Sequence, residues 1–484
     1  MNAGQFIGSE EILSGDEFSL YNPANNEPCG SLYYATQSHI EQAVQNAASA
    51  QKAWWSLAPA ERSRLLHKLT DLIRQENDRL AGIDSLQAGK PIQETVGYDI
   101  ESGAEAIEFF ANAAAGIRGQ SYQLGKVKAL VQPEPYGVTL GIGAWNYPFQ
   151  IAAWKLAPAL AAGNAMIFKP SEFTPSSAVE LAKLCLEAGL PSGLFQVIQG
   201  DGKVASELVN NAQVRKVSLT GSVPTGKKVM RTAAEGLKPV TLELGGKGPL
   251  VIFSDADLKS AVSASMLANF YTQGEICSNG TRVFVEESIY DNFMASLKER
   301  IKNISIGNPA DPATQMGPLI SKNHYQKVMN YIQSGIDEGA ELFYGGKFPE
   351  SLQNSPWENG NFVEPTVFTN CQDSMKIVEE EIFGPVMSVL KFKTEEEVLE
   401  RANATSYGLA GAVFTDNIKR AFRVSENLEV GVCWINNYNV TPVELPFGGV
   451  KDSGIGRENA IETLYSYTQS KTIYIEPDNL EYPY

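Results

Sequence analysis

From Val138 onward, short runs that are apolar almost throughout alternate with helical stretches of about 10–15 residues. Val138–Ile142, Ala165–Phe168, Leu194–Ile198, Lys216–Leu219 and Val240–Leu244 make a first series. Leu250–Phe253, Thr281–Val285, Val386–Leu390, Gly411–Phe414 and Gly431–Ile435 make a second. A strand with no polar face must be covered on both sides, and strand–helix alternation does this with parallel strands and right-handed crossovers. The pattern predicts two doubly wound α/β units that meet near Gly245–Gly248. Ahead of them Ser38–Trp54, Ala60–Arg79 and Asp99–Gly116 carry apolar residues at three- and four-residue spacing, so the first 120 residues are expected to be helical. Lys128–Gln132 and Lys471–Glu476 read as half-buried or edge strands, able to pair across a subunit interface or to end a sheet. Gly345–Asn361, rich in Gly, Pro and Asn, reads as a surface loop.

Composition excludes several function classes. A chain of 484 residues buries enough surface to need no disulfide staple or structural metal. Five cysteines, an odd number at irregular spacing, suit a reduced, cytoplasmic protein. The formal charge of −17 argues against a nucleic-acid partner, which needs a surplus of Lys and Arg. That acidity fits plain solubility or a salty cytoplasm. Three histidines and no H-E-x-x-H leave no histidine-built zinc hydrolase. Met1–Glu17 lacks the basic start and apolar core of a signal peptide. Between Tyr136 and Phe168 the only charge is Lys155, yet Gly141, Gly143, Asn146, Pro148 and Pro158 interrupt the stretch. It reads as a buried strand, loop and helix, and no membrane partner is expected.

Three segments carry reactive groups. In Gly274-Glu-Ile-Cys-Ser-Asn-Gly-Thr-Arg-Val-Phe-Val285 a cysteine sits in a loop between a helix, Asp257–Tyr271, and a strand. Cys277 is either a small buried hydrophobe or a nucleophile held on a rigid scaffold. Glu243 interrupts a buried strand that runs into a glycine pair; it is either a paired structural carboxylate or an acid at a strand's carboxyl end in a cleft. Asn146, after the strand Val138–Ile142, is either a turn former or an amide donor for an oxyanion. Phe168-Lys-Pro-Ser-Glu172 and Thr220-Gly-Ser-Val-Pro-Thr-Gly226 end strands with small residues through which phosphates reach backbone N–H groups. Gly200-Asp-Gly-Lys-Val-Ala205 satisfies G-x-G-x-x-A but has no acid about 20 positions on, so it is set aside as a decoy. Tyr467-Thr-Gln-Ser-Lys471 mimics another dehydrogenase spacing by chance.

As an ordered set, Trp145-Asn146, Lys169-Pro-Ser-Glu172, Gly221-Ser222, Glu243-Leu-Gly-Gly, Cys277, Glu380-Glu-Ile-Phe-Gly-Pro385 and Pro446-Phe-Gly-Gly449 resemble the aldehyde dehydrogenase superfamily over nearly the whole chain. The resemblance implies an α/β fold of two doubly wound domains, NAD-binding (1–120 and 139–246) and catalytic (247–447), plus a small β oligomerisation domain from 121–138 and 465–484. It implies a homo-oligomer, dimer or tetramer. It assigns Cys277 as nucleophile, Asn146 to the oxyanion, Glu243 as base for hydrolysis, and Lys155 and Glu458 to proton relay. Gly143, Ala144, Trp145, Lys169, Ser171, Glu172, Gly221, Ser222, Gly245, Glu381 and Phe383 match cofactor-binding positions, with NAD preferred and NADP admitted.

Within the superfamily the Cys277 loop resembles the branch that oxidises betaine aldehyde to glycine betaine. Tyr147, Trp154, Tyr271, Tyr438 and Phe447 would then form an aromatic cage for a trimethylammonium group. The alternatives are a 4-trimethylamino- or ω-aminoaldehyde, a broad range of aldehydes, and a non-catalytic NAD-binding scaffold. The sequence departs from the branch at Tyr438, where Trp is usual, at Glu275, where Gln is commoner, and at Gln87, which replaces an Asp. Relatives bind potassium near positions matching Leu20, Gln87 and Phe173, and near Lys451 and Gly454; Gln87 puts the first of these in doubt. An inward-facing Glu275 would raise the Cys277 thiol pKa.

Overall fold

The computed structural model describes residues 1–479 and 482. The first series of runs builds an eight-stranded sheet. Its order is Gly454–Ile455, Val240–Glu243, Val214–Thr220, Val138–Ile142, Ala165–Lys169, Phe195–Val197, Gln5–Ile7 and Glu10–Ile12. The strands from Val240–Glu243 to Phe195–Val197 are parallel, and the outer ones join antiparallel. The chain winds outward in both directions from Val138–Ile142. Strand order therefore reverses between Val138–Ile142 and Val214–Thr220, which opens a crevice at their carboxyl ends where ligands bind in such sheets.

The second series builds a seven-stranded sheet in the order Glu341–Tyr344, Thr366–Thr369, Val386–Phe392, Arg282–Glu286, Pro249–Ile252, Ala410–Phe414 and Val432–Ile435. All pairs are parallel except the first. A third, antiparallel sheet joins Thr468–Ile475, Val127–Pro135 and Gln120–Leu124. Segments more than 330 positions apart meet there, with Thr472 opposite Val131. The fold is thus the expected pair of doubly wound α/β sheets with a small β sheet. Positions 480, 481, 483 and 484 of the expected 465–484 segment lie outside the described residues.

Several local expectations are corrected. The first 33 residues are not helical: Glu17–Asn22 and Glu27–Tyr33 form a hairpin, with Asn2–Ala3 parallel to its second strand. All but two positions of Glu17–Asn22 and Glu27–Tyr33 are exposed or half-buried, so they carry no clean period-two signal. The helix expected over 60–79 is two, Pro59–Gln75 and Asn77–Ala88, broken at Glu76. Val127–Pro135 is the central strand of its sheet, not an edge. The four-residue strands Glu341–Tyr344 and Thr366–Thr369 were too short for periodicity to register. Residues 448–464, unassigned from sequence, return to the first sheet through Gly454–Ile455 and the helix Ala460–Ser466. Among the described residues no helix is long and apolar enough to cross a membrane.

One core wraps the first sheet, and two more cover the two faces of the second. The helix Pro148–Ala161 is buried at every position, because the sheet covers one side and the helix Ile100–Ala113 another. Any polar group on it, Lys155 included, must find its partners inside.

Candidate active site

Cys277 lies between the helix Leu258–Phe270, which Asp257 caps, and the strand Arg282–Glu286. A short turn precedes it in which Thr272 and Gln273 are left-handed, at φ 50° and 43°. Non-glycine residues hold that conformation only where the surroundings impose it. Here Glu94 accepts from both the backbone N–H (3.2 Å) and the hydroxyl (2.8 Å) of Thr272. The loop is pinned further on. Asn279 Nδ2 donates to the Gly274 carbonyl at 2.9 Å, Asn269 Nδ2 to the Gly280 carbonyl at 3.1 Å, and Tyr438 Oη to the Ser278 carbonyl at 2.7 Å. Gly246 is needed for the approach of this loop, since a Cβ there would stand 2.4 Å from the Cys277 carbonyl oxygen.

Two acids lie against Cys277, Glu243 and Glu381. Glu243 ends the strand Val240–Glu243, is 3 % exposed, and neither of its carboxyl oxygens has a hydrogen-bond partner. Burial and the neighbouring Glu458 carboxylate push its pKa well above the carboxylate range. Glu381 accepts from the Gly246 N–H at 3.0 Å and is raised by burial to about 7. Burial, then the Glu381 and Glu243 charges, push the Cys277 thiol up to about 12; the backbone N–H groups of Cys277 and Ser278 pull the other way. Glu275 faces elsewhere. Its carboxyl accepts from the Ile320 N–H at 3.0 Å, and its carbonyl accepts from Asn146 Nδ2 at 2.9 Å. That bond fixes the Asn146 amide beside Cys277 and leaves its second N–H available.

Lys155 and Glu458 form a buried ion pair, Nζ to Oε1 2.7 Å. Phe447 and Glu458 exchange two backbone hydrogen bonds, at 2.9 and 2.8 Å, which seats Glu458 against the cavity. Asn146, Lys155, Glu243, Cys277 and Glu458 all line one cavity.

Tyr147, Trp154 and Phe447 line the same cavity, with the Trp154 and Phe447 rings edge-to-face at 5.9 Å. Tyr438 and Tyr271 are not in its wall. Tyr438 is 1 % exposed, tilted against Trp434 at 4.8 Å in a core of the second sheet, and its hydroxyl is spent on the Ser278 carbonyl. Tyr271 packs on the first core behind that loop. Tyr98, Gln150 and Thr441 join the wall without having been singled out. Tyr98 stands on a π-helical turn, Thr95–Asp99, whose extra residue per turn is invisible to a 3.6 periodicity. The ammonium of Lys90, paired with Asp99, sits 3.3 Å from the Tyr147 ring centroid and occupies one face of that ring.

A second cleft shares Asn146, Glu243 and Cys277 with the first cavity and leads to the crevice at the strand-order reversal. Its wall brings together Ala144, Trp145, Gly221, Ser222, Gly245, Glu381 and Phe383. Trp145 packs edge-to-face on Phe383 at 5.2 Å and on His324 at 5.4 Å. Ser222 caps the helix Val223–Glu235, so that helix's free N–H groups and positive dipole end face the cleft. His324 and Lys327 also line it and carried no sequence signal, being lone polar residues on an amphipathic helix. Gly143, Lys169, Ser171 and Glu172 lie outside this wall. Gly143 pairs with the Lys169 carbonyl, and Lys169 Nζ donates to the carbonyls of Pro170 and Gly200. In Gly200-Asp-Gly, Asp201 caps the helix Gly202–Asn210.

Leu20, Gln87 and Phe173 surround a separate cavity together with Glu172. Gln87 is already satisfied, accepting from the Ser176 N–H at 3.2 Å and donating to its hydroxyl at 2.8 Å. Lys451 donates to the carbonyls of Asn403 and Thr405 and pairs with Glu429, while Gly454 hydrogen-bonds in the first sheet. Tyr467 is buried and Lys471 pairs with Glu134 at the surface, so that mimic spacing brings nothing together.

The model of the aldehyde dehydrogenase family matches residues 12–473. The chain is 53 % identical to the betaine aldehyde dehydrogenase of Mesorhizobium japonicum, over 99 % of this chain and 98 % of that one. It is 51 % identical to that of Brucella anthropi, over 100 % and 99 %. Among solved structures it is similar to a Bacillus cereus aldehyde dehydrogenase in complex with NAD+ (40 % identity, TM-score 0.95, 99 % and 97 % covered). It is likewise similar to the betaine aldehyde dehydrogenase of Staphylococcus aureus in complex with NAD+ (37 %, TM-score 0.95, 99 % and 95 %). With the Cys277 loop, the unpaired buried glutamate and the cleft at the strand-order reversal in one place, and with these matches, the chain belongs to the aldehyde dehydrogenase family.

Proposed function

We propose that this protein oxidises betaine aldehyde to glycine betaine with NAD as the hydride acceptor. One observation carries the reading: Cys277, Asn146 and Glu243 form the wall shared by an aromatic cavity and the cofactor cleft. An aldehyde carbon at that wall meets the thiolate from one side and the cleft from the other. The cleft fits the cofactor. The capped N-terminus of Val223–Glu235 and the small residues Gly221 and Ser222 admit a pyrophosphate, and Trp145, Phe383 and Glu381 bound the end next to Cys277. When bound there, the nicotinamide accepts the hydride.

The chain's own groups do the rest. Thiolate attack puts the substrate on Cys277 as a tetrahedral thiohemiacetal. Its oxyanion takes the free N–H of the Asn146 amide and the Cys277 backbone N–H, each such donor being worth about 3–4 kcal/mol. Loss of hydride leaves a thioester. Glu243 takes a proton from water, the resulting hydroxide displaces the thiolate, and the acid leaves. Cys277 and Glu243 both hold their protons tightly at rest. Each must give up its proton before its own step, and buried Lys155 and Glu458 stand in the same wall to pass protons on.

Tyr147, Trp154 and Phe447 supply the faces for a trimethylammonium group, a desolvated contact worth about 2 kcal/mol. Because Tyr271 and Tyr438 stand outside the wall, the cage is smaller than the sequence suggested. This favours a second reading, a broad range of aldehydes. NADH formation with betaine aldehyde, 4-trimethylaminobutyraldehyde and propanal separates them. A kcat/KM at least about tenfold higher for betaine aldehyde than for both others supports the first reading. Equality with propanal overturns the cage. Exposed Tyr122, Leu124, Tyr474 and Ile475 on the three-stranded sheet suit pairing with a second copy, and the five unpaired cysteines suit a reducing cytoplasm. The residues Leu20, Gln87 and Phe173 do not fit a potassium ion. Gln87 already spends its side chain on Ser176, and no step runs through the ion.

A further inference from the structure

Ser218, on the strand Val214–Thr220, is 1 % exposed and belongs to neither cavity wall. Its hydroxyl closes a ring with the buried ion pair. Lys155 Nζ donates to Ser218 Oγ at 2.9 Å and to Glu458 Oε1 at 2.7 Å, and Ser218 Oγ donates to the same Oε1 at 2.8 Å. Oε1 therefore takes both donors. Glu458 Oε2, equally buried, has no partner, and neither do the two oxygens of Glu243 on the neighbouring strand. The charged and titratable groups around Glu458 are Lys155, Lys216, Glu243, Arg457 and Tyr467. Lys216 is directed away, to Thr241 Oγ1 at 3.0 Å and to the Tyr467 ring at 4.8 Å. Arg457 turns back to the carbonyls of Gly449 and Gly456. Ser218 is thus the one hydroxyl that completes the clamp on Oε1. Without it the carboxylate is free to rotate about its last bond and offer either oxygen to Lys155.

We propose that Ser218 is a positioning residue for the hydrolytic half of the reaction. It locks the Lys155–Glu458 pair so that Glu458 Oε2 stays free to exchange a proton with the Glu243 site. The balance is simple: Glu243 takes a proton from the attacking water, that proton moves to Glu458 directly or through a bound water, and Glu243 returns to its base form. This rests on the reading of Glu243 as the base for thioester hydrolysis and adds a residue that touches neither substrate nor cofactor.

The test uses the full-length enzyme with Ser218→Ala and Ser218→Thr, NAD, and either betaine aldehyde or propanal, so that the outcome does not hang on the cage. The pre-steady-state NADH burst reports thiohemiacetal formation and hydride loss. Acid quench followed by intact mass reports Cys277 held as thioester. For Ser218→Ala the burst rate is expected within about twofold of wild type, while steady-state kcat falls about tenfold, the loss of one hydrogen bond to a charged group. The thioester fraction rises toward full occupancy, and Ser218→Thr, which keeps the hydroxyl, restores turnover. Ser218→Cys, which keeps the volume but weakens the donor, shows the same split if the alanine variant does not fold. An unchanged kcat in folded Ser218→Ala overturns the proposal, as does a parallel fall of burst rate and kcat, the mark of a merely structural role. Full turnover by Glu243→Gln would instead overturn the reading of Glu243 on which this one stands.

Discussion

Replacing Glu243 by Gln is expected to damage catalysis and stabilise the fold, and the two effects have one physical cause. Glu243 is 3 % exposed with no hydrogen bond to either oxygen, so its charged form is opposed by burial and by Glu458. Its folded pKa lies above the unfolded value of about 4.3. The folded state therefore holds this proton more tightly than the unfolded chain does. Stability from this group is complete below pH ~4 and is lost as pH rises toward the folded value. Each pH unit in that window removes up to about 1.4 kcal/mol. Glutamine matches the protonated acid in shape and never ionises. Urea unfolding of the two proteins should agree near pH ~4 and diverge as pH rises above it, with Glu243→Gln the more stable; other buried acids cancel in the difference. Over the same range its kcat should fall about 10²–10⁴-fold with the NADH burst retained, because an amide cannot accept the proton of water. Parallel stability curves for the two proteins would refute the electrostatic account, and retained turnover would refute the catalytic one.

Three further outcomes follow from the same geometry. Alkylation of Cys277 by iodoacetamide should be slow at neutral pH and rise about tenfold per pH unit between 7 and 9, since its thiol is held near 12; Glu381→Gln, removing the larger charge contribution, should speed it at pH 7. Gly448→Ala should slow thioester hydrolysis at least about tenfold and cost about 1–2 kcal/mol in denaturant, because Gly448 sits at φ 152° and a Cβ there would lie 2.6 Å from Glu243 Oε1; normal turnover in this variant would show that Glu243 needs no such clearance. Lys155→Met should destabilise by about 3–5 kcal/mol by stranding Glu458, and adding Glu458→Leu should recover most of it, measured by unfolding of the singles and the double; a single-variant cost under about 1 kcal/mol would show that the pair is not buried as a unit.

The strand–helix alternation from Val138 to Ile435 was legible because strands buried on both faces leave an apolar run with no polar interruption, and nothing local competes with that signal. For the same reason Glu243 and Lys155 stood out, as charges where the pattern demands none. The hairpin at Glu17–Tyr33 did not, since exposed short strands bury too little to impose a period. Which residues share a wall was decided only by tertiary structure. Tyr147 stands just before the helix Pro148–Ala161 and Trp154 within it, seven positions apart, and both line the cavity. Tyr438 looked equivalent but comes from another sheet, where the packing of Trp434 and the carbonyl of Ser278 claim it. Glu275 looked able to disturb the thiol, yet the Ile320 N–H draws its carboxyl away while its backbone carbonyl sets Asn146. Ser218 and Glu458 are 240 positions apart, and only the closing of the first sheet by residues 448–464 brings them to 2.8 Å. Periodicity reports how each segment meets solvent; the partner that meets it from a distant segment is set by how the sheets and their connections pack.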